Sequence, residues 1–556
     1  MKSILKRIAW LSFLPVLLIP HSAFAETKTS IREYAYQASE AVTDCTRSIE
    51  LNPQNDSAYY DRGNAYLNLG KYREAIADYT RSIELNPNND MAYNNRGFVY
   101  NNLGKYHEAV TDCARSIELN PKNNLPYYNR GNAYLNLGKY REAIADYTRS
   151  IELHPQNDMA YNNRGFVYNN LGKYHEAVAD YTRSIELNPR NELAYANRGL
   201  AYHYLGKYSE AVADFNKVIE LNPNNDMAYN NRGFVYNNLG KYHEAVADCT
   251  KSIKLNPKNE LAYANRGLAY HYLGQYHEAV VEYNRVIELN PKNDMAYKKR
   301  GLNYCMLGKE NEAVVDFNKA LALNPNDGSI YNVRGIALTK LGKYHEGIVD
   351  LNKAIEFNPG DALAYYNRGT AYMHYGKLNE AVVDFNKAVE LNPNNAPAYY
   401  NRGLVYNVLG KENEAVVDFN KAIELNPKDG SIYNVRGITL TKLGRHHEAV
   451  ADFNKAIQLN YHDCLTYAYR GLAYRYLGKY HEAILDCSKA IELNPNEATL
   501  CYNRACIYSI MGDTDKAIQD LRKAIQMDAR YKNMAEADKD FDNIRNTPEF
   551  KRLLGE

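Results

Sequence analysis

The chain lacks a net charge of either sign. Its 556 residues include 67 lysines and arginines against 66 aspartates and glutamates, a formal balance of +1. Without the first 25 residues, which carry Lys2, Lys6 and Arg7 but no acidic residue, the balance is −2. A nucleic-acid-binding protein needs a broad positive field that neutralises phosphates. The composition therefore argues against a nucleic-acid partner.

Long apolar runs are also missing. The run over residues 8–20 has 13 residues, whereas a helix needs about 20 apolar residues to cross a bilayer. It follows three basic residues and precedes Ala23-Phe24-Ala25, which is the pattern of a secretory signal peptide. We predict a signal peptide over residues 1–25, cleavage near Ala25, and an exported mature protein without a membrane span, periplasmic or secreted. The alternative is that the run forms a buried first helix of the fold.

The chain lacks the motifs of an enzyme as well. It shows no phosphate-binding loop, no zinc-ligand spacing and no Ser-His-Asp context, and these are the patterns that mark a reaction site. The segments outside the repeats described below are too short to house a catalytic domain. We therefore expect no enzymatic activity, no cofactor and no metal.

Cysteines are few, at eight. Cys45, Cys113 and Cys249 share one position of the repeat, lie two or four repeats apart, and so cannot approach to the roughly 7 Å between Cα atoms that a disulfide needs. Only the C-terminal group is close enough in sequence for one disulfide, and the sequence leaves open whether that disulfide forms. This group consists of Cys464, Cys487, Cys501 and Cys506.

What the chain does contain is a strict period. A Gly stands at residue 70 and again every 34 residues through Gly512, fourteen times in all. A period of this length indicates a stack of two-helix units, each too small to bury its own apolar face. We number the positions of each repeat from 1 to 34, so that repeat 1 begins at Asp56 and repeat 14 ends at Tyr531.

Repeat 2, residues 90–123, shows the expected local structure. Tyr93, Gly97 and Tyr100 recur at helical spacing, and Gly104 stands where a helix end favours a left-handed residue. A second helix follows and ends before Pro121, because proline cannot extend a helix. Position 8 is Gly in thirteen repeats, although Gly inside a helix costs about 1 kcal/mol relative to Ala. We therefore expect two backbones to touch there, with the small residue at position 20 facing the contact.

Two charged positions recur together. Position 7 is Arg in all fourteen repeats, and position 23 is Asp in thirteen and Glu282 in one. We predict a partly buried ion pair between the two helices of each repeat. The alternative is a row of arginines that binds anionic ligands.

These positions resemble the tetratricopeptide repeat: an aromatic residue at position 4, Gly at 8, Tyr at 11, Gly at 15, Ala at 20, an aromatic at 24 and Pro at 32. The match covers 476 of 556 residues. Tyr461 and Ala529 replace the Pro, and Leu338 and Leu440 replace the Tyr at position 11. Residues 26–55 resemble a degenerate leading repeat and residues 532–556 a capping segment.

The resemblance implies an all-α fold, a right-handed superhelical solenoid of antiparallel helix pairs whose first helices line a concave groove. Proteins of this family bind peptides or partner proteins in that groove. Positions 2, 5, 6, 9, 12 and 13 are expected to face it, and we call them the first-helix face.

Asparagine recurs at position 6 of this face. The row resembles the asparagine ladder in the repeat domain of the O-linked N-acetylglucosamine transferase, which holds extended polypeptide by its backbone. An Asn amide offers donors and an acceptor, so it suits that task. The alternative is that the amides are solvated or hydrogen-bonded locally. The predicted peptide-binding residues are Asn95, Asn129, Asn163, Asn197, Asn231, Asn265, Asn367 and Asn401.

Lysines interrupt the asparagine row. Lys298 and Lys299 fall at positions 5 and 6 of repeat 8, and Lys340 falls at position 13 of repeat 9. This basic patch would suit an acidic segment of a partner; the alternative is solvated lysines on an open face.

We expect a non-enzymatic scaffold that binds a protein or extended peptide. The alternative is a structural, self-associating array in contact with the cell envelope.

Overall fold

The computed structural model describes residues 27–555, with side chains from Tyr36 onward. The predicted signal peptide over residues 1–25 lies outside the described residues. The chain divides into two compact units, the first ending at Pro291 and the second beginning at Lys292. In the described range all regular structure is helical: 31 α-helices and one short 3-10 helix. No helix in this range is long and apolar enough to cross a membrane.

Each repeat forms two helices. The first helices cover positions 1–13: α2 Asp56–Asn68, α4 Asp90–Asn102, α6 Asn124–Asn136, α8 Asp158–Asn170, α10 Glu192–Tyr204, α12 Asp226–Asn238, α14 Glu260–Tyr272, α16 Asp294–Met306, α18 Gly328–Lys340, α20 Ala362–His374, α22 Ala396–Val408, α24 Gly430–Lys442, α26 Cys464–Tyr476 and α28 Ala498–Ile510.

The second helices begin at position 17: α3 Tyr72–Leu85, α5 Tyr106–Leu119, α7 Tyr140–Leu153, α9 Tyr174–Leu187, α11 Tyr208–Leu221, α13 Tyr242–Leu255, α15 Tyr276–Leu289, α17 Glu310–Leu323, α19 Tyr344–Phe357, α21 Leu378–Leu391, α23 Glu412–Leu425, α25 His446–Gln458, α27 Tyr480–Leu493 and α29 Thr514–Met527. Within each unit the two helices of a repeat pack together, and each second helix also packs on the first helix that follows. The predicted all-α array of helix pairs is therefore confirmed.

Local sequence explains where the helices begin and end. Asn55 caps α2 by accepting a hydrogen bond from the backbone N–H of Ala58, and an Asn or Asp does the same for the other first helices except the last. The glycine at position 15 adopts a φ between 68° and 81° in all fourteen repeats, a left-handed conformation that favours glycine. In repeat 12, Tyr461 replaces the Pro that usually follows the second helix, and the preceding Asn460 adopts a left-handed φ of 63°.

The closest contact at position 8 has a different partner from the one expected. A Cβ on any of the thirteen glycines would lie 2.6–3.2 Å from its nearest neighbour. That neighbour is, in nearly every repeat, the side chain at position 24, such as Tyr79 against Gly63, and the backbone carbonyl of position 20 lies a little further away. The glycine thus makes room mainly for the side chain at position 24, a ring in nine of these repeats, while the expected approach of two backbones is present in several, as between Gly335 and Gly347.

The segments flanking the repeats are also helical. Residues 27–51 form one continuous helix, α1 Thr27–Leu51, which packs on α2. After repeat 14, helix α30 Arg530–Ala537 and helix α31 Pro548–Leu554 fold back. Phe541, Phe550 and Leu554 are buried in one cluster with the last repeat, so the final helix pair does not expose its apolar side.

All eight cysteines lie in the described residues and are free thiols. The C-terminal group, Cys464, Cys487, Cys501 and Cys506, forms no disulfide. Cys113 packs against Gly97 at the position that Tyr or Phe fills elsewhere, as expected for a packing residue. Burial raises the pKa of the Cys113 thiol far above its usual range.

The rings at position 24 differ in whether their hydroxyl group has a partner. Tyr147 donates a 2.8 Å hydrogen bond to Asn132, whose oxygen also accepts one from Asn163 of the next repeat. Tyr181, in the same place one repeat later, is equally buried, but its hydroxyl has no hydrogen-bond partner among the residues that the structure describes.

We predict opposite outcomes for the same substitution at these two positions. Tyr147→Phe should weaken repeat 3 by about 1 kcal/mol, because the acceptor on Asn132 loses a partner. Tyr181→Phe should leave repeat 4 unchanged or more stable, because a buried hydroxyl without a partner is removed. Hydrogen exchange of the amides in α7 and α9 measures both. Equal losses of protection would contradict the assignment.

Candidate functional site

The first-helix face carries apolar side chains as well as amides. At position 2, Leu125, Met159, Leu193 and Met227 have between 39% and 49% of their surface exposed. Exposed apolar residues that recur in register are unusual on a helix surface and favour contact with another molecule. These residues belong to the first unit and lie on four successive first helices.

Two asparagines of the predicted row are fully engaged within the protein. The amide of Asn95 donates to the Asn64 oxygen at 2.9 Å and to the Tyr60 hydroxyl at 3.2 Å, and its own oxygen accepts from Asn94. Asn163 is placed the same way two repeats later. These two side chains join successive repeats and have little capacity left for a ligand.

In the other asparagines of the row, only the nitrogen or only the oxygen of the side-chain amide forms a hydrogen bond. Asn129 and Asn265 donate to the position-5 Asn of the preceding repeat at 2.9 and 3.0 Å. No hydrogen bond within residues 36–555 reaches the side-chain oxygen of these residues, which remains an acceptor. Asn231 differs, because its oxygen accepts from Asn230 at 3.1 Å. Asn197 and Asn367 also donate to a position-5 Asn, and Asn401 donates to the position-5 hydroxyl of Tyr366 at 3.2 Å.

The three predicted lysines have different surroundings. The ammonium of Lys298 lies 3.2 Å from the carboxylate of Asp327 and also contacts Ser329. Lys299 is partly buried; burial lowers the pKa of its ammonium and the adjacent Lys298 lowers it further. Lys340 is more than half exposed and lies 3.8 Å from Glu310.

A cavity of about 420 Å³ brings two predicted residues together in the second unit. It lies between α18 and α20, and both Lys340 and Asn367 line it. Its walls include the stacked rings of Tyr344 and His374, whose centroids are 6.2 Å apart, together with Tyr366. A cation, an amide oxygen and aromatic surface thus converge on one concave site, the usual composition of a ligand site.

The charged edges of the position-7 arginines are already paired within the protein, so they are not available to an anionic ligand. Each one pairs with the acidic residue at position 23 of its own repeat at 2.6–2.9 Å, with 3–9% of the acidic side chain exposed. In thirteen repeats the fork is formed by Nε and one terminal nitrogen, as in Arg402 with Asp418. The predicted ion pair is confirmed in all fourteen repeats.

The third nitrogen of the same arginine reaches the preceding repeat. In twelve repeats Nη1 donates to the position-25 side chain there, for example from Arg402 to the Asn386 oxygen at 2.7 Å. Repeat 3 lacks this bond because Ala114 stands at that position. One guanidinium group therefore joins its own two helices to the second helix before them.

Glu282 changes this geometry. Its longer side chain brings both oxygens to one terminal nitrogen of Arg266, each at 2.9 Å. The Nε of Arg266 is left buried without a partner. Burial raises the pKa of the Glu282 carboxyl, and Arg266 offsets the effect only in part.

One group of potential metal ligands occurs in residues 36–555, namely Cys506, Asp538 and Asp540. Asp538 accepts a 2.7 Å hydrogen bond from Tyr502, and Asp540 pairs with Arg475. Burial raises the pKa of the Cys506 thiol far above the range in which it would ionise. These contacts hold the C-terminal segment on the last repeats.

Sequence reasoning missed the residues that anchor the asparagine row. Asn94, Asn162 and Asn230 at position 5 accept or donate the bonds that fix the position-6 amides. The recurrence of Asn at position 5 in every second repeat, from repeat 2 to repeat 6, was the available signal. Tyr366 and His374 were missed because only stacking of adjacent repeats brings them beside Lys340, and Tyr344 was missed although it follows Lys340 by four residues.

Comparison with known families agrees with this architecture. A model of the tetratricopeptide repeat matches residues 57–89, 91–123, 126–157, 159–191, 227–259, 261–293, 362–395, 396–429 and 465–497. Related models of the same repeat match 180–213, 199–240, 295–327, 335–374, 419–451 and 498–531. The chain belongs to the tetratricopeptide repeat family, a family of protein-binding scaffolds.

Several solved structures are similar to this chain. A tetratricopeptide repeat protein from Parabacteroides merdae is 22% identical over 44% of this chain and 97% of its own, with a TM-score of 0.38. The Cut9–Hcn1 hetero-tetramer of the APC/C is 16% identical over 90% and 96%, with a TM-score of 0.41. Yeast Tom70 is 20% identical over 78% and 99%, with a TM-score of 0.32. No curated protein matches the chain.

We predict that Glu282→Asp stabilises repeat 7. The shorter carboxylate should form the same fork as in the other repeats and satisfy Nε of Arg266, which is worth about 1 kcal/mol. Hydrogen exchange in α15 should then slow by about fivefold.

The reverse exchange in the neighbouring repeat, Asp248→Glu, is the matched control. It should speed exchange in α13 by a similar factor, because Arg232 would lose the bond from Nε to Asp248 that now measures 2.7 Å. An unchanged rate in both variants would show that the fork geometry does not govern stability.

Proposed function

We propose that this protein is a non-enzymatic scaffold that holds an extended polypeptide on its first-helix face. Membership of the tetratricopeptide repeat family supports the role of a protein-binding scaffold. The peptide site itself is proposed from the cavity between α18 and α20, where Lys340 and Asn367 meet aromatic walls.

The chemistry of this face suits a polypeptide backbone. Asn129, Asn197 and Asn265 fix their amide nitrogens on the preceding repeat and keep an oxygen that can accept a peptide N–H. Because each amide is already held, binding costs little further side-chain entropy. The exposed apolar residues at position 2 would contact side chains of the bound segment.

Charge gives the site a preference. Lys340 has one carboxylate within 4 Å, Glu310 at 3.8 Å, and more than half of its side chain is exposed. An acidic residue of the bound segment would therefore gain an ion pair at the mouth of the cavity. We further propose that the protein meets its partner after export, since the leading segment has the pattern of a signal peptide.

The proposal predicts a specific loss on charge reversal. Lys340→Glu should weaken binding of acidic, unstructured peptides by at least about tenfold, which corresponds to losing one partly buried ion pair and replacing it with repulsion. Fluorescence anisotropy with a labelled library of extended 12-residue peptides measures the affinity. Raising the salt concentration should weaken binding to the parent protein far more than to the variant.

Lys387→Glu is the control, because it makes the same charge change on the second helix α21, where Lys387 is 39% exposed and away from the cavity. It should bind peptides as the parent protein does. Equal losses in the two variants, or no peptide binding by the parent protein at millimolar concentration, would refute the proposed site.

A second function, self-association, is favoured by one observation. Position 22 on the second helices of the second unit carries exposed apolar residues, among them Val315, Val383, Val417 and Leu485, with 65–71% of their surface exposed. The first unit has Ala or Thr at this position in repeats 1–6. Such a row on an outer surface favours contact with another copy of the chain.

Light scattering of the mature protein tests this second function. Assembly should increase with protein concentration, and replacing the four residues by Ser should return the protein to a monomer. A monomer at all concentrations, with peptide capture intact, would leave only the scaffold function.

A further inference from the structure

Position 11 is a tyrosine in twelve repeats, and in six of them its ring lies between the cations at positions 7 and 16. In repeat 11 the ring centroid of Tyr406 is 6.0 Å from the guanidinium carbon of Arg402 and 6.0 Å from the ammonium of Lys411. In repeat 13 the Tyr474 ring is 5.8 and 5.9 Å from its two cations, at positions 7 and 16. A cation over an aromatic face is attracted by the ring quadrupole.

Repeat 12 lies between these two and lacks the ring. Leu440 stands at position 11, almost fully buried against Val416 and Phe453. A cavity of about 240 Å³ opens beside it. Arg436 and Arg445, at positions 7 and 16, both line this cavity, so the two cations that enclose the ring elsewhere here face an empty space.

The charges around the cavity argue against an anion as its occupant. Arg436 is held by a fork to Asp452 at 2.6 and 2.7 Å and by Asn420 at 2.6 Å. Arg445 is held by Glu448 at 2.6 and 2.7 Å. Both guanidinium groups are thus neutralised along their edges, so a ligand would meet them through their flat faces. Among residues 36–555, the ring of Tyr433 is the one that lies over Arg436, at 5.7 Å.

We infer that this cavity binds the aromatic side chain of a tyrosine or phenylalanine from a partner polypeptide, which takes the place of the missing position-11 ring. The size fits, since a cavity of ~150 Å³ in another protein holds benzene. Val416, Leu440 and Ala451 supply apolar wall, and the exposed residues Asn420, Arg445 and Ala451 leave the cavity open to solvent. A ring can therefore enter while its own backbone stays outside.

This site is separate from the first-helix face. Asn420, Ala451 and Glu448 belong to the second helices α23 and α25, whereas the proposed peptide site is formed by α18 and α20 around Lys340. The inference therefore goes beyond the proposed function and does not depend on it. It also gives a structural meaning to Leu440, one of the two residues that replace Tyr at position 11.

The test uses p-cresol, a small-molecule analogue of the tyrosine side chain, as the ligand. The protein is the full chain with isotope-labelled methyl groups on Val and Leu. Nuclear magnetic resonance should show that p-cresol shifts the methyl signals of Val416 and Leu440. The saturated analogue 4-methylcyclohexanol should bind at least about fivefold more weakly, because it has no ring face for the cations. Equal affinity for the two probes would overturn the aromatic assignment.

Two variants locate the site. Leu440→Tyr restores the repeat pattern, should fold normally by circular dichroism, and should abolish the shift of Val416. Tyr406→Leu should leave the first site intact and open a second one in repeat 11. Unchanged binding of p-cresol in Leu440→Tyr would overturn the proposal.

A third experiment tests whether the cavity accepts a tyrosine side chain that is attached to a peptide backbone. The capped peptide Ac-Gly-Tyr-Gly-NH₂ should shift the same methyl signals as p-cresol, whereas Ac-Gly-Leu-Gly-NH₂ should not. Binding of p-cresol without binding of the tyrosine peptide would overturn the assignment to a polypeptide partner.

Discussion

The guanidinium group at position 7 holds the array together. Its Nε and one terminal nitrogen grip the carboxylate on the second helix of the same repeat, and its remaining nitrogen reaches the second helix of the preceding repeat. A buried ion pair contributes less to net stability than to the choice of one geometry. In the twelve repeats that have both contacts, the guanidinium group sets the register between three helices, and apolar packing at positions 8 and 24 completes the contact.

The asparagines at position 6 have two roles that the fold assigns to opposite ends of one amide. The nitrogen joins Asn129 or Asn265 to the preceding repeat, and the oxygen stays available. Where position 9 of the preceding repeat is Asn, as at Asn64 and Asn132, the side-chain amides of Asn95 and Asn163 form all their hydrogen bonds within the protein. The binding capacity of the face therefore varies from repeat to repeat, although the residue at position 6 is the same.

Most of the fold follows from the sequence, because period, capping residues and glycines act locally. The Arg–carboxylate pair was also predictable, since two charges that recur in phase on facing helices have few other partners. The site was less so. Asn94 and Asn129 are 35 residues apart, and their bond depends on how far one repeat rotates on the next. The contact of Gly63 with Tyr79 lies within one repeat, and it depends on how the large ring at position 24 is oriented between the two helices, which the period does not specify.

The sameness of the joints between repeats has an evolutionary consequence. Because the groups that meet at one boundary recur at the next, a gene rearrangement that duplicates or deletes 34 codons in phase would reconnect compatible surfaces. Repeats 2, 4 and 6, which have nearly the same sequence, are the outcome that such unequal recombination produces. The length of the protein can then change in steps of one helix pair while the cap after Tyr531 stays in place.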